Sequence, residues 1–272
     1  MRQDNAEGSS SSASVLSLRQ QEVLVGTLLG DGCLAKHGYY HRLHIKHAAA
    51  QRALVNFKYE VFRDLISMRQ HEFDQQLKGR GYPCVQFATR TSPALSEWHS
   101  RFYRDGRKVV PADIARYLSP LAVSVWLMDD GAADFAGVTF QTHSFRADEL
   151  ELLRGALNQN FEVATSCRKN KGGMVLYVGV GQLSRLRILV EPYLLPEFEY
   201  KLKPRGLEPR RDCTLAPDES RGDDTVRSRW QQREARQKWE PAKISLGQYS
   251  GNSEESNSRV DTLVVPAVND GC

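Results

Sequence analysis

Leu24-Val-Gly-Thr-Leu-Leu-Gly-Asp-Gly32 and Val123-Ser-Val-Trp-Leu-Met-Asp-Asp-Gly131 are two apolar runs that stop at the same dipeptide, Asp31-Gly32 and Asp130-Gly131. Gln21 to Gly30 and Leu118 to Asp129 therefore read as two helices, and the residues after each are also alike. Strand-like residues Tyr39 to His47 and Val138 to His143 come next, then two amphipathic helices. The apolar positions Leu54, Phe57, Val61 and Leu65 recur 96 residues later as Leu150, Leu153, Leu157 and Phe161, at the spacing of one helical stripe. A hairpin comes after it in each half, Glu72 to Leu77 with Tyr82 to Thr89 and Val163 to Arg168 with Met174 to Val180. The turns lie near Gly79 and Gly81, or Gly172 and Gly173. A last helix is predicted near Pro93 to Tyr103 and Gln182 to Pro192, and the halves close on Lys108-Val-Val-Pro111 and Lys201-Leu-Lys-Pro204.

A unit of roughly 95 residues is too long for a solenoid repeat, which runs about 20 to 50. Two related domains facing each other are the simpler reading, and the 272 residues suffice for two small cores. The expected division is a tail at 1–20, domains at 21–115 and 116–205, and a polar tail at 206–272. The tail composition cannot offset its ordering entropy, apart from a polar helix expected at Val226 to Glu240. No run approaches the roughly 20 apolar residues of a membrane span, and the Ser-rich start lacks the order of a secretory signal. Cys33, Cys84, Cys167, Cys213 and Cys272 are scattered and form no C-x-x-C pair, which suggests neither a disulfide framework nor a zinc site. An intracellular location is expected, with chloroplast, mitochondrion and bacterial cytoplasm all open. Net charge is −1 over 1–22, +7 over 23–205 and −2 over 206–272, so the positive excess belongs to the folded body. Nucleic acid is the first partner to consider, against a solvated basic surface.

A glycine after a helix is an ordinary C-terminal cap, but the aspartates call for an explanation. A carboxylate there faces the negative end of the helix dipole, at a cost of about 0.3 to 1 kcal/mol. Two of them on paired helices make sense around a divalent cation with hard oxygen ligands, although either alone could be a turn residue. Gly26 and Gly30 lie four apart and would let a second helix approach closely, bringing Asp31 near Asp130.

These two motifs resemble the signature helices of the LAGLIDADG homing endonucleases, and Trp-Leu-Met-Asp-Asp-Gly resembles the monomeric, intron-encoded branch that includes the yeast mitochondrial omega-intron enzyme. The resemblance covers about 21–205. It implies an α+β chain of two pseudo-symmetric αββαββα domains, whose antiparallel sheets form a saddle over DNA. It implies Mg²⁺ at Asp31 and Asp130, with Gly30 and Asp129 beside them in the metal site, and basic residues near the cleaved phosphates at Lys108 and Lys201. The bland alternative for each is a surface lysine leading into a proline turn, and the symmetry of the two Lys-x-x-Pro segments favours the site role. Val125 and Asp129 depart from the first motif, which has Gly26 and Gly30 there.

The expected function is site-specific double-strand cleavage of DNA with homing of a mobile intron. The partner is a long asymmetric duplex read by a monomer, with intron RNA as a second partner. An RNA maturase, or an inactive DNA-binding protein of the same fold, is the alternative. Arg42, His44, Lys46, Gln86, Arg90, Arg168 and Lys169 are the candidates for groove or phosphate contact. His47 and His143 match across the 96-residue displacement, but their strand registers disagree, and ordinary strand-end histidines are the plainer reading.

Overall fold

A computed structural model of the chain describes residues 15–77, 79–170, 172–204 and 206. The expected helix at Val226 to Glu240 lies outside the described residues. The first half runs α1 (Leu18–Leu29), β1 (Cys33–His37), β2 (Tyr40–Ala48), α2 (Arg52–Val61), β3 (Ile66–Leu77), β4 (Arg80–Thr89) and α3 (Pro93–Phe102). A short ribbon, β5 (Tyr103–Arg104) with β6 (Arg107–Lys108), comes next. The second half repeats the order as α4 (Pro120–Asp130), β7 (Gly131–Ala133), β8 (Gly137–Phe140), α5 (Ala147–Phe161), β9 (Ser166–Asn170), β10 (Gly173–Gly179) and α6 (Val180–Val190). Each half carries one four-stranded antiparallel sheet, β1-β2-β4-β3 or β7-β8-β10-β9. The shared order is what the internal repeat demanded.

Local chemistry starts the helices. Ser17 accepts from the Gln20 amide while Gln20 reaches back to the Ser17 amide, a capping box at the head of α1. Ser119 caps α4 and Ser92 caps α3, each succeeded by a proline that needs no amide partner. Strand β3 begins six residues before the expected Glu72, because bulges between Ile66 and His71 break the alternation that marks a strand.

Helices α1 and α4 pack against each other at the centre and are buried nearly all round, from Val23 to Leu29 and from Leu121 to Asp129. Such helices are core elements of both halves at once. A Cβ added to Gly26 would overlap the Ala122 carbonyl oxygen and lie 2.8 Å from Val125 Cβ. One added to Gly30 would lie 2.5 Å from Asp129 Cβ. The departures at Val125 and Asp129 are therefore the complements of the two glycines: larger residues on α4 fill the space left on α1.

Gly131 is the C-terminal cap of α4, its N–H donating to the Leu127 carbonyl, and Gly32, just past the end of α1, donates to the Thr27 carbonyl. Neither has a positive φ. Gly32 is glycine because a Cβ would overlap the Thr27 methyl, and at Gly131 it would overlap Leu127. Close approach is the requirement, and left-handed backbone is not.

Candidate active site

The site grows from the C-terminal ends of α1 and α4. Asp31 lies just past α1 with its side chain half exposed, and Asp130 is the last residue of α4. The two carboxyl groups share a hydrogen bond. Burial, then the charges of Asp31 and Asp129, push the Asp130 carboxyl up to about 8, so the metal-free site keeps a proton between the aspartates near neutrality. Among the described residues no group of three or more His, Cys, Asp or Glu gathers as a metal site. Two carboxylates nonetheless fit Mg²⁺, which commonly takes one or two from a protein and keeps several waters.

Each closing lysine reaches the end of its own half's signature helix. Lys108 Nζ donates to the carbonyls of Gly30 and Gly32 at 2.8 Å each. Lys201, in the 3-10 segment Pro196–Leu202, donates to the carbonyls of Met128 and Asp129. Burial pulls both ammonium groups below the usual lysine range, opposed at Lys108 by Cys33 and the three aspartates and at Lys201 by the three aspartates. These bonds satisfy carbonyls that a helix end leaves open and offset the unfavourable end of the helix dipole at which the aspartates sit. Arg107, next to Lys108, holds Glu149 of α5 through two 2.8 Å bonds, tying the ribbon to the second half.

The expectation for Asp129 is corrected in part. Its carboxylate is fully buried, and both oxygens accept from Lys58 Nζ at 2.7 Å. It does not join the Asp31–Asp130 pair as a third carboxylate. Gly30 and Asp129 contribute backbone carbonyls, which accept from Lys108 and Lys201. Lys58 is a residue that pattern reading missed. It sits on α2 four positions after Leu54 and four before Phe62, all three fully buried. A lysine inside an apolar stripe was the available signal.

The histidines separate. His47 faces the core with Leu43 and Ile45, its Nδ1 3.8 Å from Asp31 and its Nε2 3.5 Å from Asp129. Burial, then Lys58, hold its pKa down to about 3. His143 lies beyond the end of β8, exposed and bonded to Gln141. The plain reading fits His143 but not His47.

On the first sheet Arg42, His44 and Lys46 alternate away from the core, and Lys46 pairs in register with Gln86. Gln86 in turn touches His71 of β3 at 2.9 Å, extending one polar face across three strands. Arg90 stands past the end of β4, its guanidinium bonded to the Asp64 carbonyl. Arg168 lies on the open face of the second sheet, over the ring of Tyr177. Lys169 falls on the other face: its cross-strand partner is Met174, in line with buried Leu176 and Val178. Adjacent strand residues point to opposite faces, so Arg168 and Lys169 cannot both read a groove from one sheet surface.

The model described as the LAGLIDADG DNA endonuclease family matches residues 21–186. "Cytochrome b mRNA maturase bI2" of Debaryomyces hansenii is 28% identical over 190 residues, 66% of this chain and 72% of the relative. "Probable intron-encoded endonuclease 1" of Wickerhamomyces canadensis is 24% identical, over 69% of this chain and 85% of the relative. Other curated relatives are longer, and the match spans about half their length. Among solved structures, the homing endonuclease I-WcaI bound to its DNA recognition sequence superposes with a TM-score of 0.66 at 24% identity, covering 70% of this chain and 88% of that one. At that identity the likeness speaks for the fold.

Proposed function

Because the chain belongs to the LAGLIDADG DNA endonuclease family, we propose that it is a site-specific homing endonuclease that hydrolyses one phosphodiester in each strand of a long asymmetric duplex, with Mg²⁺ as cofactor. The observation that carries this reading is the Asp31–Asp130 carboxyl pair, flanked by Lys108 and Lys201 at the ends of the two signature helices. A divalent cation held there would neutralise the pair and supply an activated water at a strand phosphate. Lys108 and Lys201 place positive charge beside the position where a phosphoryl oxygen gains negative charge, which lowers the barrier most in a water-poor site. Arg42, His44, Lys46 and Gln86 on one sheet and Arg168 on the other give each half its own polar surface, as reading two unlike half-sites requires. The carboxylates hold the cation, the lysines stabilise charge, and the sheets choose the sequence.

The test is selection from a pooled library of random duplexes. The expected result is staggered double-strand cleavage of a narrow sequence family with Mg²⁺, lost in EDTA and restored by Mg²⁺. Tight duplex binding with no cleavage in Mg²⁺ or Mn²⁺ would overturn it. The 28% identity to a cytochrome b mRNA maturase supports a second reading, assistance to intron RNA folding. Preference for structured RNA over every duplex in the same pool would favour it.

On a selected site, Lys108→Ala and Lys201→Ala should each slow a different strand by about 100-fold in single turnover and accumulate opposite nicked intermediates. An ordinary phosphate contact behaves otherwise, weakening binding and lowering the salt slope by about one unit. Strand-labelled cleavage at saturating enzyme separates the two roles. Equal slowing of both strands would remove the lysines from paired roles.

A further inference from the structure

Lys58, Asp129 and His47 form a buried cluster at the edge of the aspartate pair. Lys58 Nζ lies 2.7 Å from both Asp129 oxygens and 3.4 Å from His47 Nε2. The contact from Lys58, which can only donate, and the closer contact of Nδ1 with Gln51 Oε1 favour a neutral imidazole with its proton on Nδ1 over an Nε2–H donated to Asp129 Oδ1 at 3.5 Å. Nδ1 is 3.1 Å from Gln51 Oε1 and 3.8 Å from Asp31 Oδ2. The cluster thus sets the Nδ1–H, bonded to Gln51, beside the half-exposed carboxylate of the site.

Among the described residues the second half has no such cluster. The residue 96 positions after Lys58 is Arg154, whose guanidinium is held by Glu151 and the Thr165 carbonyl. The counterpart of His47 is exposed His143, and the counterpart of Asp129 is Gly30.

We propose that Lys58 and Asp129 are positioning residues that hold His47 with its Nδ1–H beside Asp31, ordering one reaction centre better than its counterpart, so that the two DNA strands are cut at unequal rates. This rests on the reading of the chain as a nuclease. It assigns the buried ion pair a role that its stability alone does not explain, since such pairs are often replaceable by apolar residues without loss.

Two measurements test it. In the metal-free protein, imidazole ¹⁵N spectra should show His47 as the Nδ1–H tautomer. Lys58→Met/Asp129→Asn, which removes both charges together, should release it. In strand-labelled single-turnover cleavage with Mg²⁺, wild type should cut one strand faster. The double variant and His47→Gln should each slow that strand by about 10- to 100-fold. The other strand should change by less than about twofold, and His143→Ala should leave both rates as they are. If the double variant does not fold, His47→Gln decides alone. An Nε2–H tautomer in wild type, or equal slowing of both strands in an otherwise active enzyme, would overturn the proposal and leave the nuclease reading standing. A wild-type chain that cuts no duplex in Mg²⁺ or Mn²⁺ would overturn both.

Discussion

Asp130→Asn is expected to abolish strand cleavage, by at least about 1,000-fold, while making the metal-free protein more stable in alkaline solution. The two effects share one cause. The folded protein holds the Asp130 proton up to about pH 8, against 3.8 for an ordinary aspartate. The folded state therefore binds that proton more tightly than the unfolded chain, and stability falls as pH rises through the window from about 4 to about 8. Asparagine keeps the shape and a hydrogen-bond donor toward Asp31 but never acquires the second negative charge. The variant should unfold on the order of 5 kcal/mol less readily than wild type at pH 9, where the penalty is full, and lose that advantage toward pH 4. DNA binding without metal should change little, because affinity comes mainly from phosphate and groove contacts. Asp31→Asn should lose cleavage equally. Single-turnover cleavage, a binding isotherm in EDTA and melting curves across pH check the three parts. Cleavage at the wild-type rate, or a wild-type pH dependence of stability in Asp130→Asn, would remove Asp130 from the centre of the site.

Gly26→Ala is expected to cost at least ~3 kcal/mol and to lose cleavage with it, although alanine is the better helix former by about 1 kcal/mol. The new methyl would overlap the Ala122 carbonyl oxygen, a backbone atom that moves only if α4 moves. Any retreat of α4 separates Asp130 from Asp31. Gly155→Ala, on the exposed face of α5 with nothing near an added Cβ, provides the comparison and should stabilise by about 0.5–1 kcal/mol. Urea unfolding of the two variants beside wild type decides it. A Gly26→Ala protein as stable as wild type would show that the central helices are not in contact at that residue.

The element order, the doubling of the fold and the meeting of Asp31 with Asp130 were legible in the sequence because each is written in local chemistry. Capping serines, apolar periods and turn glycines act over a few residues, and a repeated pattern implies a repeated structure. The small faces of Gly26 and Gly30 even announced a close helix pair. What they accommodate was decided elsewhere, by Val125 and Asp129 on a helix about 100 residues away. Lys58, inside the apolar stripe of its helix, is a core residue only because Asp129, 71 positions along the chain, is buried against it. His47 and His143 occupy matching places in the repeat, yet one is buried and the other exposed, since β2 runs to Ala48 whereas β8 stops at Phe140. Lys169 turned from the open face for a similar reason: strand register is fixed by pairing with β10. Periodicity and capping are properties of neighbours along the chain. Charge burial, register and helix contact are properties of neighbours in space, and those only the tertiary structure decided.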